Sequence, residues 1–191
     1  MRKIIAILIC LTSLELSGCV NTPPVIPVTT EPEPQRTDLP INWLEVSGSN
    51  WSYGVPFGFD KARALPNDML AQHSSQSQKI SIGFAAHPTQ LELPIYVANF
   101  VFSKETNNQK VLATRESTNG PNGRVFAVHY VDNAHTCLPG KTMCNTAVQG
   151  SLDFFVKKNQ TIYQMSCFGE ALSLKAHADT CFQVINTLRL K

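Results

Sequence analysis

Apolar and polar positions divide the chain into three regimes. Residues 4–14 form a nearly unbroken apolar run that opens Ile4-Ile5-Ala6-Ile7-Leu8-Ile9-Cys10-Leu11. Residues 20–40 have no apolar period. From Ile41 onward short apolar segments alternate with polar ones, mostly at the period of two that a half-buried strand shows. Trp43-Leu44-Glu45-Val46 and Trp51-Ser52-Tyr53-Gly54-Val55 flank Gly48-Ser49-Asn50 and predict an opening hairpin. Residues 60–78 are polar; within them Ala62–Gln72 has the pattern of a short helix, with Pro66 barring a longer one. Lys79-Ile80-Ser81-Ile82-Gly83-Phe84 predicts a strand with Ile80, Ile82 and Phe84 inward. Ile95–Phe102 is rich in β-formers and apolar on both parities, which predicts a central strand. Lys110–Arg115 and Arg124–Val131 predict strands joined at the turn Asn119-Gly120-Pro121-Asn122-Gly123. Leu152–Lys157 and Thr161–Phe168 predict a hairpin around Lys158-Asn159-Gln160. The chain closes on a helical pattern from Ala176 to Leu190, with Ala178, Cys181, Ile185 and Leu188 on one face and Phe182 and Val184 beside them.

The first regime changes the picture most. Arg2 and Lys3 precede the apolar run, and small residues follow it, which is the plan of a secretory signal. The run is about half of the ~20 residues that a spanning helix needs, and Glu15 and Ser17 then interrupt it. Leu16-Ser17-Gly18-Cys19 resembles the lipobox of bacterial lipoproteins. That resemblance implies that residues 1–18 are removed and that Cys19 becomes the lipidated first residue, carrying palmitate-type acyl chains. Two or more chains anchor stably, at roughly 0.8 kcal/mol per buried methylene. Val20, where an Asp favours retention in the inner membrane, implies transfer to the outer membrane. The expectation is a lipid anchor in the cell outer membrane with the protein facing the periplasm.

Residues 19–40 then read as a lipidated Cys and a tether. Pro23, Pro24, Pro27, Pro32, Pro34 and Pro40 are half of the 12 prolines in the chain, and proline bars both helix and central strand. At ~3.1 Å per residue the tether reaches on the order of 60 Å. A spacer is the reading adopted; a strip that docks on peptidoglycan is the sharper alternative. Residues 41–191 form one domain of a size that buries a real core. The net charge of +2 falls near neutral once Arg2, Lys3 and Glu15 leave, and neither a basic stripe nor export supports a nucleic-acid partner. The predicted fold class is α+β: an antiparallel sheet covered by the C-terminal helix. The aromatic hairpin running into Val55-Pro56-Phe57-Gly58-Phe59, with the Cys-bearing last strand and the closing Phe182-Gln183-Val184-Ile185-Asn186-Thr187-Leu188-Arg189, resembles the start and end of the PsbP/DcrB-like fold. That fold hosts unrelated functions, so the resemblance implies no site.

Cys10 leaves with the signal and Cys19 takes lipid. Cys137, Cys144, Cys167 and Cys181 remain, an even set in an oxidising compartment, and predict two disulfides. Three pairings are open. Cys167 shares a strand face with Tyr163 and Met165, and Cys181 lies on the apolar stripe of the last helix, so parity favours Cys167–Cys181 and leaves Cys137–Cys144 to close a short loop. Each closure contributes roughly 2.5–3 kcal/mol on loop entropy. The competing reading is a metal site from His129, His135, Cys137 and Cys144. Zinc ligands come in tighter pairs than His129-x5-His135 and Cys137-x6-Cys144, so no metal and no cofactor is expected.

Catalysis finds no support in the motifs. No G-x-S-x-G elbow occurs, paired cysteines are poor nucleophiles, and the spacing of Glu92, Glu105, Glu116, Asp153 and Glu170 favours no acid–base pair. The expectation is a non-enzyme. Trp43, Trp51, Tyr53, Phe57 and Phe59 form the densest aromatic cluster, read either as core filling or as a partner-binding patch, and Lys141 in the Cys137–Cys144 loop is a further candidate contact. The functional expectation is a non-catalytic binding or assembly module of the envelope, anchored through Cys19, near peptidoglycan and with an envelope protein as partner. The alternative is an inhibitor or exclusion factor acting through the preorganised Cys137–Cys144 loop.

Overall fold

Ile80, Ile82 and Phe84 all point into one core, each at most 2% exposed, as their alternation predicts. A computed structural model of the chain describes residues 39–66, 68–132 and 148–191. The first of the described elements are the hairpin strands β1 (Trp43–Ser47) and β2 (Trp51–Pro56). Next come β3 (Asp60–Lys61), β4 (Met69–Ser75) and β5 (Ile80–Pro88). Helix α1 (Leu93–Thr106) leads to β6 (Gln109–Gly120) and β7 (Gly123–Asp132). After β8 (Gln149–Lys158) and β9 (Thr161–Glu170) follow α2 (Ala171–Ala176), α3 (Ala178–Thr187) and the short β10 (Arg189–Leu190).

Among the described residues, seven strands make one antiparallel sheet in the order β3-β4-β5-β9-β8-β7-β6, and β1-β2-β10 make a second, smaller one. The fold is α+β. One face of the large sheet carries Ile80, Ile82, Phe84, Phe154, Val156, Met165 and Cys167. The small sheet covers it through Trp51, Tyr53 and Val55, and the last helices through Leu174, Cys181, Val184, Ile185 and Leu188. The other face carries Val128, Tyr130, Phe155 and Ile162, and α1 packs Leu93 and Val97 against them. Fully burying one such side chain contributes about 1.5–3 kcal/mol.

Three expected elements take a different form. Ile95–Phe102 is helix, not central strand. Pro94 stands in the first turn, where its fixed φ suits a helix and its missing N–H costs nothing. Leu93 and Val97 are buried and Phe100 and Val101 pack beside them, a spacing of four and three that serves one helical face. Apolarity on both parities arises because the outer face is apolar too: Ile95 is 52% and Phe102 68% exposed. Ala62–Gln72 is not helix; Met69 onward pairs with β5, and its buried residues Ala71 and His73 alternate with period two. The C-terminal helix is shorter than Ala176–Leu190. It stops at Thr187, and Arg189 and Leu190 pair with Ser52 and Trp51 of β2, so the chain end closes the small sheet.

Candidate functional site

The α1-facing side of the large sheet is not covered evenly. Directly opposed residues of antiparallel strands share a face, and two rows run across the strands here. Gly83, Ser166, Asp153 and Val128 are opposed in one, and Ser81, Phe168, Ser151 and Tyr130 in the next. At the Tyr130 end of α1 these rows floor an open cleft of about 420 Å³. Tyr130, Ser151, Gln164 and Ser166 give it polar groups, Met69 and Phe168 an apolar wall, and Gln109, Asp132 and Gln149 a rim.

Two glycines shape this wall. A side chain at Gly83 would lie 3.0 Å from Met69 Cε and 3.3 Å from Phe168 Cε1, so its absence lets both residues lie over β5. Gly169 has φ +155°, and a Cβ there would collide with the Lys79 carbonyl oxygen, so any larger residue would push β9 away from β5.

Asp153 is the centre of the floor. It is 1% exposed, and a buried carboxylate needs partners. Ser151 Oγ donates to its Oδ1 at 2.7 Å, and Gln164 Nε2 donates to its Oδ2 at 3.3 Å. The Ser166 and Tyr130 hydroxyls bond it as well, and Lys104 of α1 acts on it through charge. Burial raises its pKa from the ordinary value, while those bonds and Lys104 pull the other way. Gln164 is fixed from both ends. Its Nε2 also reaches Ser166 Oγ at 3.1 Å, and its Oε1 lies 3.1 Å from His87 Nε2. The Tyr130 hydroxyl is raised in pKa by burial and by Asp153. The Lys104 ammonium sits 4.6 Å from the Tyr130 ring centroid and 4.7 Å from that of Phe100, which pins the end of α1 to the floor.

The residues singled out in the sequence lie elsewhere. Trp51, Tyr53 and Phe59 fill the core beneath the small sheet, and Trp43 packs against it partly buried. Phe57, at 76% exposed, is the member of that aromatic cluster on the surface. Cys167 and Cys181 are both 0% exposed and stand as adjacent thiols, and the hydrogen bond with Cys181, followed by burial, pushes the Cys167 thiol well up. Cys19, Cys137, Cys144, Lys141 and His135 lie outside the described residues, as does the loop of the inhibitor reading. His129 is half-buried on the α3 side of the sheet, its pKa lowered by burial. Among the described residues no cluster of His, Cys, Asp or Glu has the form of a metal site. The scattered carboxylates do not meet: Glu92 pairs with Lys157 at 2.9 Å, Glu116 with Arg124 at 2.5 Å, and Glu170 with Lys79 at 3.0 Å.

No family model and no curated protein matches the chain in sequence. Solved structures match it in fold. Cyanobacterial PsbP (CyanoP) from Synechocystis sp. PCC 6803 superposes with a TM-score of 0.57 at 8% identity, over 78% of this chain and 93% of that one. The fold is PsbP-like. The Saccharomyces cerevisiae Ran-binding protein Mog1p matches with a TM-score of 0.50 at 13% identity, over 78% of this chain and 95% of that one. The likeness is one of fold. At these identities it carries no residue of the cleft from one protein to another.

Proposed function

We propose that this chain is an outer-membrane lipoprotein, held by acyl chains on Cys19, whose PsbP-like domain is a non-catalytic binding module on the periplasmic side. Leu16-Ser17-Gly18-Cys19 after a short apolar run supports the anchor, and Val20 supports the outer membrane. The observation that carries the binding role is the floor of the cleft. Ser151, Ser166, Tyr130 and Gln164 are all fixed by one buried carboxylate, Asp153, so the site is organised before any ligand arrives. Preorganised polar groups lower the ordering cost of binding. The Ran-binding neighbour Mog1p supports a binding role for the fold in general terms.

The anchor and its placement are tested by metabolic labelling with palmitate followed by density-gradient separation of the two membranes. The expected result is label on the wild type in the outer-membrane fraction, protection from protease added to whole cells, and no label on Cys19→Ala. Label on Cys19→Ala, or wild-type protein in the soluble periplasm, would overturn the anchored reading.

A further inference from the structure

The hydrogen bonds around Asp153 decide what the cleft presents to a visitor. Each serine or tyrosine hydroxyl has one proton to donate and lone pairs left over. Ser151 spends its proton on Asp153 Oδ1 at 2.7 Å, and the Ser166 and Tyr130 hydroxyls are also engaged with that carboxylate. What these three groups have left for the cleft is acceptor capacity. On the rim Gln109 Nε2 donates one of its two protons to Asp132 Oδ1 at 2.5 Å, which leaves the Gln109 carbonyl and the remaining Asp132 lone pairs as acceptors beside one amide N–H. Among the described lining residues there is no Lys, Arg or His, while Asp132 lines the cleft and Asp153 lies beneath it. Among the described residues, an anion entering would meet the Asp132 carboxylate on the lining, while the neighbouring ammonium of Lys104 is held over the Tyr130 and Phe100 rings and is engaged by charge with the buried Asp153. A neutral polyol would satisfy its donors but bring no charge to set against Asp132. The wall of Met69 and Phe168 suits an aliphatic stem, and the Phe168 ring favours a cation beside it.

We infer that the cleft binds an aliphatic primary ammonium group, held by Asp132, Ser151 and Tyr130, with its alkyl stem against Met69 and Phe168. This rests on the reading of the domain as a binding module and names its ligand class. The same chemistry comes from two sources, a free diamine or the side-chain amine of a diamino acid within a peptide.

The test is a titration of the ¹⁵N-labelled, detergent-solubilised full chain, followed through the amide resonances of Ser151, Phe168 and Gly169. The probes are pentane-1,5-diamine, Nα-acetyl-lysine amide, pentane-1,5-diol and glutarate. The expected result is saturable shifts with the two amines, binding of the diol at least about tenfold weaker, and none of glutarate. Asp132→Asn lowers amine affinity about tenfold, whereas Glu116→Gln, toward the far end of β6 and outside the cleft lining, leaves it unchanged. Tighter binding of the lysine amide than of the diamine assigns the peptide source, and the reverse assigns the free amine. Equal binding of diol and diamine, or shifts with glutarate alone, would overturn the ammonium assignment while leaving the cleft a binding site. No saturable shift with any probe, on a chain with a dispersed spectrum, would overturn the ammonium assignment and leave the binding role to be judged by cross-linking in the cell.

Discussion

Cys167 of β9 and Cys181 of α3 face each other across the sheet–helix interface, both without solvent exposure. Their contact raises the Cys167 thiol further than burial alone. A thiol pair so placed is unreactive toward outside reagents and close enough to be joined.

In an exported chain the expected state of this pair is a disulfide, formed by exchange with an exported oxidase whose own disulfide accepts the two electrons. Peptide mapping without reduction should yield one linked peptide containing Cys167 and Cys181. On loop entropy the bond contributes about 3 kcal/mol, so reduction should lower the urea midpoint accordingly. Quantitative alkylation of both thiols after unfolding in the absence of reductant would refute it.

Asp153 gives the stability a pH signature. Burial holds its carboxyl above the ordinary 3.8, so the folded chain keeps a proton that the unfolded chain has released. The resulting stabilisation is full below 3.8 and is lost as pH rises through the folded value. Asp153→Asn abolishes that titration. The difference in unfolding free energy, wild type minus variant, should therefore fall as pH rises above about 4. A constant difference from pH 4 to 8 would contradict burial as the dominant influence. His73 and His129 act in the opposite sense. Burial lowers both below 6.5, so the stability they contribute is present above pH 6.5 and is lost on acidification.

Ala98 distinguishes helix from strand in α1. It is exposed in mid-helix, where valine is a poorer former than alanine by up to about 0.7 kcal/mol. Ala98→Val should therefore destabilise the protein by a few tenths of a kcal/mol in urea unfolding. A gain in stability would favour an extended conformation, in which valine is preferred.

The folded unit reaches further toward the N-terminus than Ile41. A Cβ on Gly54 would lie 2.6 Å from Leu39 Cδ2, so Leu39 packs on β2 where that strand has no side chain. Leu39→Ala should cost about 1–2 kcal/mol for a half-buried leucine. A chain of residues 41–191 should melt below one of residues 36–191. Equal melting temperatures would show that Leu39 contributes nothing and that the domain starts at 41.

How much of this was legible in the sequence depended on where burial came from. Ile80, Ile82 and Phe84 face a core on one parity, so alternation identifies their strand and its inner face. The segment Ile95–Phe102 defeats that reading because Val97 and Phe100 are covered by the sheet while Ile95 and Phe102 stay exposed. An all-round apolar helix has no stripe to distinguish it from a buried strand. The cleft had a faint signal. Ser151 and Asp153, and Gln164 and Ser166, occupy the polar parity of two adjacent strands, which reads as a solvated face. Only the packing of α1 and the strand order β9-β8-β7 turn that face inward and bring Tyr130 to Asp153. The aromatic residues were the reverse case: Trp51, Tyr53 and Phe59 are conspicuous by composition, and they fill the core.

The claim that the cleft is where this domain binds is tested most directly in the cell, by placing a photoreactive phenylalanine at position 168 in the wall. A second chain carries it in place of Gln76, an exposed turn residue outside the cleft. Irradiation of intact cells should give a discrete adduct from position 168 that disappears when Asp132→Asn is added, and none from position 76. An adduct from position 76 with none from position 168, at equal levels of folded protein, would contradict the cleft as the binding site.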